Sequence, residues 1–345
     1  MALYFLSRYH LTGWLRKLKE KYQVILPQYY EAKLYYEKLN GENVLSEENF
    51  YHALRKIRPA NPLKEFFFTP KLKVGGLVEN KAVLVPFDDT PRIIIGVKNC
   101  DLHGLRVHEK MYLAAEYQDP FHKHERSRTI IISADCPEPE ETCFCNLLDL
   151  KPYPEIISDI IITPITGGYL FESISRVGED LIINTDHNFR AATQENIAER
   201  AAIRSYALEK LQKINQKSLS VELSEHIKHK TEHEFWQTHA LSCVECFGCL
   251  LICPTCFCFL LYDVPINDKG FERYKIWDAC YYNAYARVGG GANPRAEFGQ
   301  RFRNRFHCKF MNFYWEHKFY ACSGCGRCFA VCMGKIDIRK ILVEV

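Results

Sequence analysis

Residues 243–259 read CVECFGCLLICPTCFCF and place six cysteines within seventeen residues. The first four are separated by two, two and three residues: Cys243, Cys246, Cys249 and Cys253. Residues 322–337 read CSGCGRCFAVCMGKID and repeat these intervals with Cys322, Cys325, Cys328 and Cys332. Any explanation of one run must therefore explain the other as well.

This repeated spacing is typical of bacterial ferredoxins that bind two [4Fe–4S] clusters. Three closely spaced thiolates bind one cluster, and the fourth cysteine of each run binds the other cluster. We therefore predict a first set, which is Cys243, Cys246, Cys249 and Cys332. The predicted second set is Cys322, Cys325, Cys328 and Cys253. Zinc is the alternative, although zinc sites usually combine two Cys-x-x-Cys pairs or mix cysteine with histidine.

The second run departs from the usual form at one position. Met333 stands where Pro254 stands in the first run. This difference affects the turn after Cys332 but removes no predicted ligand.

The composition is ordinary for a globular protein except for its 16 cysteines in 345 residues. Secreted disulfide frameworks belong to small chains, so cysteine spacing of this kind favours metal in a reducing compartment. A net charge of +3 does not indicate nucleic acid as a partner. The first residues are apolar only over 2–6, too short for a signal-peptide core, and no apolar run is long enough to insert in a membrane. These features predict a cytoplasmic protein.

The pattern of apolar residues predicts an α+β fold of two domains, with a boundary near residue 225. In residues 1–225 we expect a helix-rich segment up to residue 60 and then a mixed α/β sheet. The expected strands include NKAVLVPF (80–87), PRIIIGVKN (91–99), SRTIIISAD (127–135) and DLIINTD (180–186). Helices are predicted over 102–117, 194–217 and 228–241. Residues 226–345 are predicted to form an α-helical ferredoxin-type domain with two clusters.

A front set of four cysteines lies in the first domain. Cys100 and Cys136 end two predicted strands, and the loop PEPEETCFC adds Cys143 and Cys145. Ligands at the ends of neighbouring strands meet at one edge of a sheet, so this set is a candidate third iron–sulfur site. The alternative is that four buried thiols act as small apolar side chains.

The other four cysteines and the basic residues have simpler explanations. Cys256, Cys258, Cys280 and Cys308 are predicted to pack around the clusters, with a further site as the alternative. The stretch RFRNRFHCK (301–309) is typical of a solvated helix face, or alternatively of a docking face for a redox partner. The histidines, among them His103 and His108, are interpreted as surface or hydrogen-bonded residues without a catalytic role.

Several further stretches, together with the cluster motifs, resemble the beta subunit of cytoplasmic sulfhydrogenases, which are nickel–iron hydrogenases, and the corresponding iron–sulfur subunit of anaerobic sulfite reductase. They occur in the expected order over about residues 60–335: PLKEFFFTPK, IIIGVKNCDLHGL, DCPEPEETCFCNL, CPTCFCFLLYDV, WDAC, GGGANPR and RFRNRFHCK. The last stretch is closer to the sulfhydrogenase branch.

The resemblance implies an electron-transfer protein that is a component of an oxidoreductase complex rather than an enzyme alone. Its implied partners are a catalytic redox subunit together with a flavin-containing NAD(P)H or ferredoxin oxidoreductase subunit. The resemblance also favours a role for the front set. Two alternatives stay open at this point: direct reduction of sulfur or polysulfide at the front set, and a zinc-binding scaffold.

Overall fold

The computed structural model describes residues 2–40, 46–114, 116–155, 157–185 and 188–345. Its strands form two sheets. They are β1 (Leu3–Ser7), β2 (Gln23–Tyr30), β3 (Lys33–Lys38), β4 (Lys71–Val78), β5 (Lys81–Val83), β6 (Arg92–Val97), β7 (Thr129–Ala134), β8 (Ile160–Ile165), β9 (Gly168–Ser173), β10 (Arg190–Ala191), β11 (Phe259–Pro265) and β12 (Gly270–Trp277).

The helices cover both faces of the larger sheet and build most of the C-terminal part. They are α1 (Arg8–Lys19), α2 (Glu47–Arg55), α3 (Asn99–Tyr112), α4 (Pro120–Ser127), α5 (Arg176–Thr185), α6 (Gln194–Ile214), α7 (Leu223–His229), α8 (His233–Ala240), α9 (Gly248–Leu251), α10 (Phe298–Phe306), α11 (Phe313–His317), α12 (Arg327–Ala330) and α13 (Ile338–Glu344). A π-helical turn over His307–Asn312 joins α10 to α11. The α+β class predicted from the sequence is confirmed.

The larger sheet has eight strands in the order β10-β1-β9-β8-β7-β6-β2-β3. Strands β8, β7, β6 and β2 are mutually parallel at its centre. Successive residues of β6 face opposite sides: Ile93 packs into the core beneath α1 and α2, and Ile94 packs into the core beneath α3. The carboxyl ends of β6 and β7 therefore lie side by side at one edge, with Cys100 and Cys136 just beyond them.

The smaller sheet joins strands from both ends of the chain. Its order is β11-β12-β4-β5, and all neighbours are antiparallel. The hairpin of β11 and β12 lies in the region that was expected to be helical, and β12 pairs with β4, so that Lys275 lies opposite Leu72. The domain boundary near residue 225 stays a prediction, with this pairing as a link across it.

One predicted strand is wrong. Residues 180–185 of DLIINTD belong to the helix α5, and Asp186 lies outside the described residues. The buried residues of α5 are Gly178, Leu181 and Ile182, which have helical spacing. A short apolar run does not by itself distinguish a strand from a helix, and the prediction overlooked the four helical residues before it. The first 60 residues also contain β1, β2 and β3 besides helices.

Candidate iron–sulfur centres

The four cysteines of the first set line one cavity. Cys243 and Cys246 lie in the loop before α9, Cys249 lies in α9, and Cys332 follows α12, so one cysteine of the second motif lies with three of the first. Phe247, Tyr281 and Phe302 form apolar walls around the same cavity. Cys328 of the second motif also lines this cavity, so five cysteines border it.

The second set is buried between the two motifs. Cys322 and Cys328 lie close enough to Cys253 for the three thiols to affect each other's pKa, and Cys325 does the same to Cys328. Burial raises the pKa of Cys322 to about 12. A buried thiol with a raised pKa stays protonated unless a cation stabilises its thiolate form, so this set needs positive charge in order to act as a ligand set.

Corresponding backbone N–H groups point at sulfur in both motifs. The N–H of Glu245 donates to Cys243 Sγ (3.4 Å), and the N–H of Gly324 donates to Cys322 Sγ (3.5 Å). Near the end of the second motif, the N–H of Ile336 donates to Cys332 Sγ (3.3 Å). Such hydrogen bonds favour the thiolate and tune the potential of a bound cluster.

The front set lines a second cavity of similar size. Cys100 lies in the first turn of α3 after β6, and Cys136 follows β7, so the sheet edge brings these two together. The loop that carries Cys143 and Cys145 closes the cavity. The structure therefore gathers four cysteines that are spread over 46 residues of sequence.

The front set lies directly against the second motif. The N–H of Phe144 donates to the carbonyl oxygen of Gly324 (2.8 Å). Gly324 has φ +62°, and a Cβ placed there would lie 2.5 Å from the Cα of Cys145. Glycine is therefore required for this close approach. Cys325 of the second set also lines the front cavity, so the front and second sets are neighbours.

Among the described residues, five buried cations that form no ion pair with a carboxylate lie beside the cysteine sets: Arg58, Lys64, Lys98, Arg305 and Lys309. A sixth, Arg327, lies beside Cys325 but pairs with Asp101. The hydrogen bonds of the first five go to backbone carbonyls, a hydroxyl and thiols. The Nε atom of Arg58 has no hydrogen-bond partner within the described part of the chain. A buried charge is costly unless an opposite charge balances it. The cysteine sets would supply that balance as thiolates around an anionic cluster.

Each cation acts on identifiable thiols. Arg58 and Lys98 line the front cavity, and Arg305 lines the first cavity and also faces Cys328. Burial raises the pKa of Cys136 to about 12, while Lys98 opposes that shift. The residues present thus fit iron–sulfur clusters in both their donor atoms and their charge.

The stretch RFRNRFHCK is not the solvated face that its charge indicated. Arg301, Arg305 and Lys309 follow each other at intervals of four residues and are all buried, with no more than 6% of each residue exposed. The signal that sequence reasoning missed was this spacing, which places the three cations on one face of α10 and the turn after it. Arg305 and Lys309 on that face lie beside cysteines, and Arg301 donates to the carbonyl oxygens of Tyr281 and Ala296.

The interpretation of the histidines as surface or hydrogen-bonded residues is correct only in part. His103 of α3 donates from Nε2 to the carbonyl oxygen of Tyr320 (2.7 Å), two residues before Cys322, and burial lowers its pKa to about 4. His108 is fully buried, and neither of its ring nitrogens has a partner within the described residues. His103 therefore helps to position the second motif as a neutral ring.

Two further features concern single metal ions and membranes. Among the residues that the structure describes, no group of three Cys, His, Asp or Glu side chains is arranged to hold a single metal ion. No helix in the described part of the chain has the length and apolar character needed to cross a membrane.

Comparisons with known proteins agree with this geometry. The model of the 4Fe-4S dicluster domain family matches residues 242–336, which contain both motifs. The chain is 28% identical to sulfhydrogenase 2 subunit beta of Pyrococcus furiosus over 337 residues, 97% of this chain and 96% of the relative. The resemblance to sulfhydrogenase beta subunits that the sequence predicted is confirmed.

Proposed function

We propose that this chain, as a relative of the sulfhydrogenase beta subunits, is the iron–sulfur electron-transfer component of a multisubunit redox complex in the cytoplasm. In this proposal it passes electrons between a catalytic redox subunit, of the hydrogenase, sulfite reductase or disulfide reductase type, and a flavin-containing NAD(P)H or ferredoxin oxidoreductase subunit. The first and second sets each hold a [4Fe–4S] cluster, and the front set holds a third iron–sulfur cluster.

The observation that carries the proposal is the continuity of the three sets. The two motifs exchange a cysteine between the first and second sets, and Cys325 joins the second set to the front cavity. When bound, iron–sulfur clusters accept and donate single electrons over a wide range of potentials. Three adjacent ligand sets form a path across the chain, whereas a scaffold protein has no need of such continuity.

The chain's own side chains prepare this path. Arg58, Lys98 and Arg305 stabilise the thiolate forms of the ligands, because each is a buried cation beside several thiols. Apolar side chains such as Phe247 and Tyr281 lower the polarity of the first cavity. Low polarity strengthens both the charge interactions and the hydrogen bonds to sulfur.

The first cavity also reaches the surface, which supports contact with another protein of the complex. Cys246 is exposed, and its neighbours Val244 and Met333 are 63% and 75% exposed. Both of these apolar side chains line the cavity. Exposed apolar residues around a redox site suit docking of another protein, since burying them is favourable.

The test is analysis of anaerobically purified protein for iron, acid-labile sulfide and zinc, followed by electron paramagnetic resonance after reduction with dithionite. We expect roughly twelve irons with matching sulfide for the three proposed sets of four ligands, with paramagnetic signals on reduction. Cys249→Ser and Cys143→Ser should each remove one distinct signal, and the exposed variant Gly289→Ala should remove none. Colourless protein, or zinc without sulfide, would overturn the proposal.

A further inference from the structure

The four cysteines outside the three sets lie together at the base of the hairpin β11–β12. We call them the hairpin set: Cys256, Cys258, Cys280 and Cys308. The N–H of Asp278 donates to the carbonyl oxygen of Cys258 (3.0 Å) and holds the two ends of the hairpin together. Cys258 and Cys280, near these two ends, consequently pack in the same cluster of buried side chains.

The other two members approach this pair from different elements. Cys308 lies in the π-helical turn after α10, close enough to Cys258 and Cys280 for their charges to interact. Cys256 lies in the loop before β11 and hydrogen bonds with Cys253 of the second set. π-helical turns are rare and often mark functional sites. The hairpin set is therefore gathered by three separate elements and borders the second set.

The hairpin set repeats the composition of the front set. Each has one Cys-x-Cys pair in a loop, at 143–145 and at 256–258, and two single cysteines at the ends of other elements. Each also has two buried cations beside it, Arg58 and Lys98 at the front set and Lys64 and Lys309 at the hairpin set. The two halves of the chain thus contain similar ligand sets outside the ferredoxin motifs.

The two lysines are held in place by neutral groups. Lys64 donates to the carbonyl oxygen of Cys256 (3.2 Å) and lies 4.1 Å from the centre of the Trp277 ring. Lys309 donates to the hydroxyl of Thr255 (2.5 Å). Only 4% and 3% of these residues is exposed. The acidic groups that act on both lysines are cysteines of the hairpin and second sets, so thiolate sulfur would be their countercharge.

We propose that Cys256, Cys258, Cys280 and Cys308 hold a further iron–sulfur cluster of the [4Fe–4S] type, beside the second set. Lys64 and Lys309 balance its charge, and the Tyr285 hydroxyl donates to Cys258 Sγ (3.3 Å). The inference goes beyond the function proposed above, because it adds a branch to the path. The second set then borders the first, front and hairpin sets.

The test compares the wild-type full chain with Cys258→Ser/Cys280→Ser by anaerobic native mass spectrometry and iron, sulfide and zinc analysis. We expect the double variant to lose about four irons and four sulfides while keeping the paramagnetic signals that Cys249→Ser and Cys143→Ser remove. Unchanged iron and sulfide, or loss of one zinc instead, would overturn the inference. If the wild type already lacks iron and sulfide, it is the proposed function that fails.

A second variant covers the case in which the double variant does not fold. Tyr285→Phe removes only the hydroxyl, and 36% of Tyr285 is exposed, so the fold should be preserved. We expect full iron content and a negative shift in one midpoint potential, because a hydrogen bond to thiolate sulfur stabilises the more negative reduced state. Arg287→Lys, near Tyr285 in sequence, is the control and should leave every potential in place. Potentials identical to wild type in Tyr285→Phe would contradict the inference.

Discussion

The front set and the motif sets reach similar cavities by different routes. In each motif, a loop and a short helix of four residues bring three cysteines together within seven residues of sequence. The front set depends instead on β6 and β7 lying side by side and on a loop that packs against Gly324. Local spacing makes the first kind of site, and tertiary packing makes the second.

This difference has a consequence for stability. A motif loop can fold around its own ligands, whereas the front set requires the sheet and the second motif to be in place together. Binding energy at the front set is therefore tied to the folding of the whole chain. The two kinds of site should respond differently to changes at ligands, at packing contacts and at buried charges.

The largest effect is expected at a ligand that one motif contributes to the cluster of the other. Cys332→Ser lies in the second motif but should remove the cluster of the first set, with a loss of about four irons and a lower melting temperature. Its paramagnetic spectrum should match that of Cys246→Ser rather than that of Cys322→Ser.

The spectrum of Cys322→Ser is the matched control, since both cysteines belong to the same run. If Cys332→Ser and Cys322→Ser give the same spectrum, each motif binds its own cluster, and the exchange assigned here is wrong.

A smaller effect is expected from Gly324→Ala, which breaks the contact between the two kinds of site. The new Cβ would lie 2.5 Å from the Cys145 backbone, and the left-handed backbone itself costs about 1–2 kcal/mol for alanine. We expect loss of the front-set signal while the first-set signal stays, as measured by paramagnetic resonance and iron content.

Gly289→Ala is the matched control because nothing lies within 4 Å of a Cβ there. Gly324→Ala protein with a complete front-set signal would show that this contact does not position the front set.

The third prediction concerns charge and leaves the ligands in place. Arg58→Met removes a buried cation from the front cavity, so the more negative reduced state becomes less stable. We expect unchanged iron content and a midpoint potential lower by roughly 60 mV, which is a tenfold change in a one-electron equilibrium. A redox titration followed by paramagnetic resonance measures this shift.

Arg58→Lys keeps the charge and should restore most of the potential. A shift of equal size in Arg58→Lys would mean that packing, and not charge, is the contribution of Arg58.

The sequence predicted best what depends on local spacing. The two motifs are visible as intervals, and the apolar runs that form β6 and β7 predicted that Cys100 and Cys136 each follow a strand. Both features are patterns over a few residues, so they can be recognised without knowledge of the tertiary fold.

What the sequence did not predict depends on contacts between distant segments. β12 pairs with β4 far away in the chain, and Arg305 and Lys309 are buried although basic residues are mostly exposed. Their burial is favourable only because the cysteine sets supply opposite charge. A charged residue in a sequence is assigned to the protein surface unless the groups that balance its charge are also recognised.

The smallest effect is expected where the two motifs differ. After Cys253 the chain makes a turn in which the N–H of Cys256 bonds to the carbonyl oxygen of Cys253 (3.4 Å). The same turn follows Cys332, with the N–H of Lys335 bonding to its carbonyl oxygen (3.2 Å), although Met333 replaces proline. Proline favours this position of a turn, and Met333 is 75% exposed.

Met333→Pro should therefore leave iron content and spectra unchanged and stabilise the chain by about 0.4–1 kcal/mol, because proline restricts the unfolded state. Thermal unfolding of the loaded protein measures the difference, with the exposed substitution Met333→Ala as control. Because the two turns share their hydrogen bond, the identity of the residue after the fourth cysteine affects only the unfolded chain. Loss of the first-set signal in Met333→Pro would show that the backbone after Cys332 differs from that after Cys253. The two motifs would then be equivalent in their ligands but not in the turn that follows them.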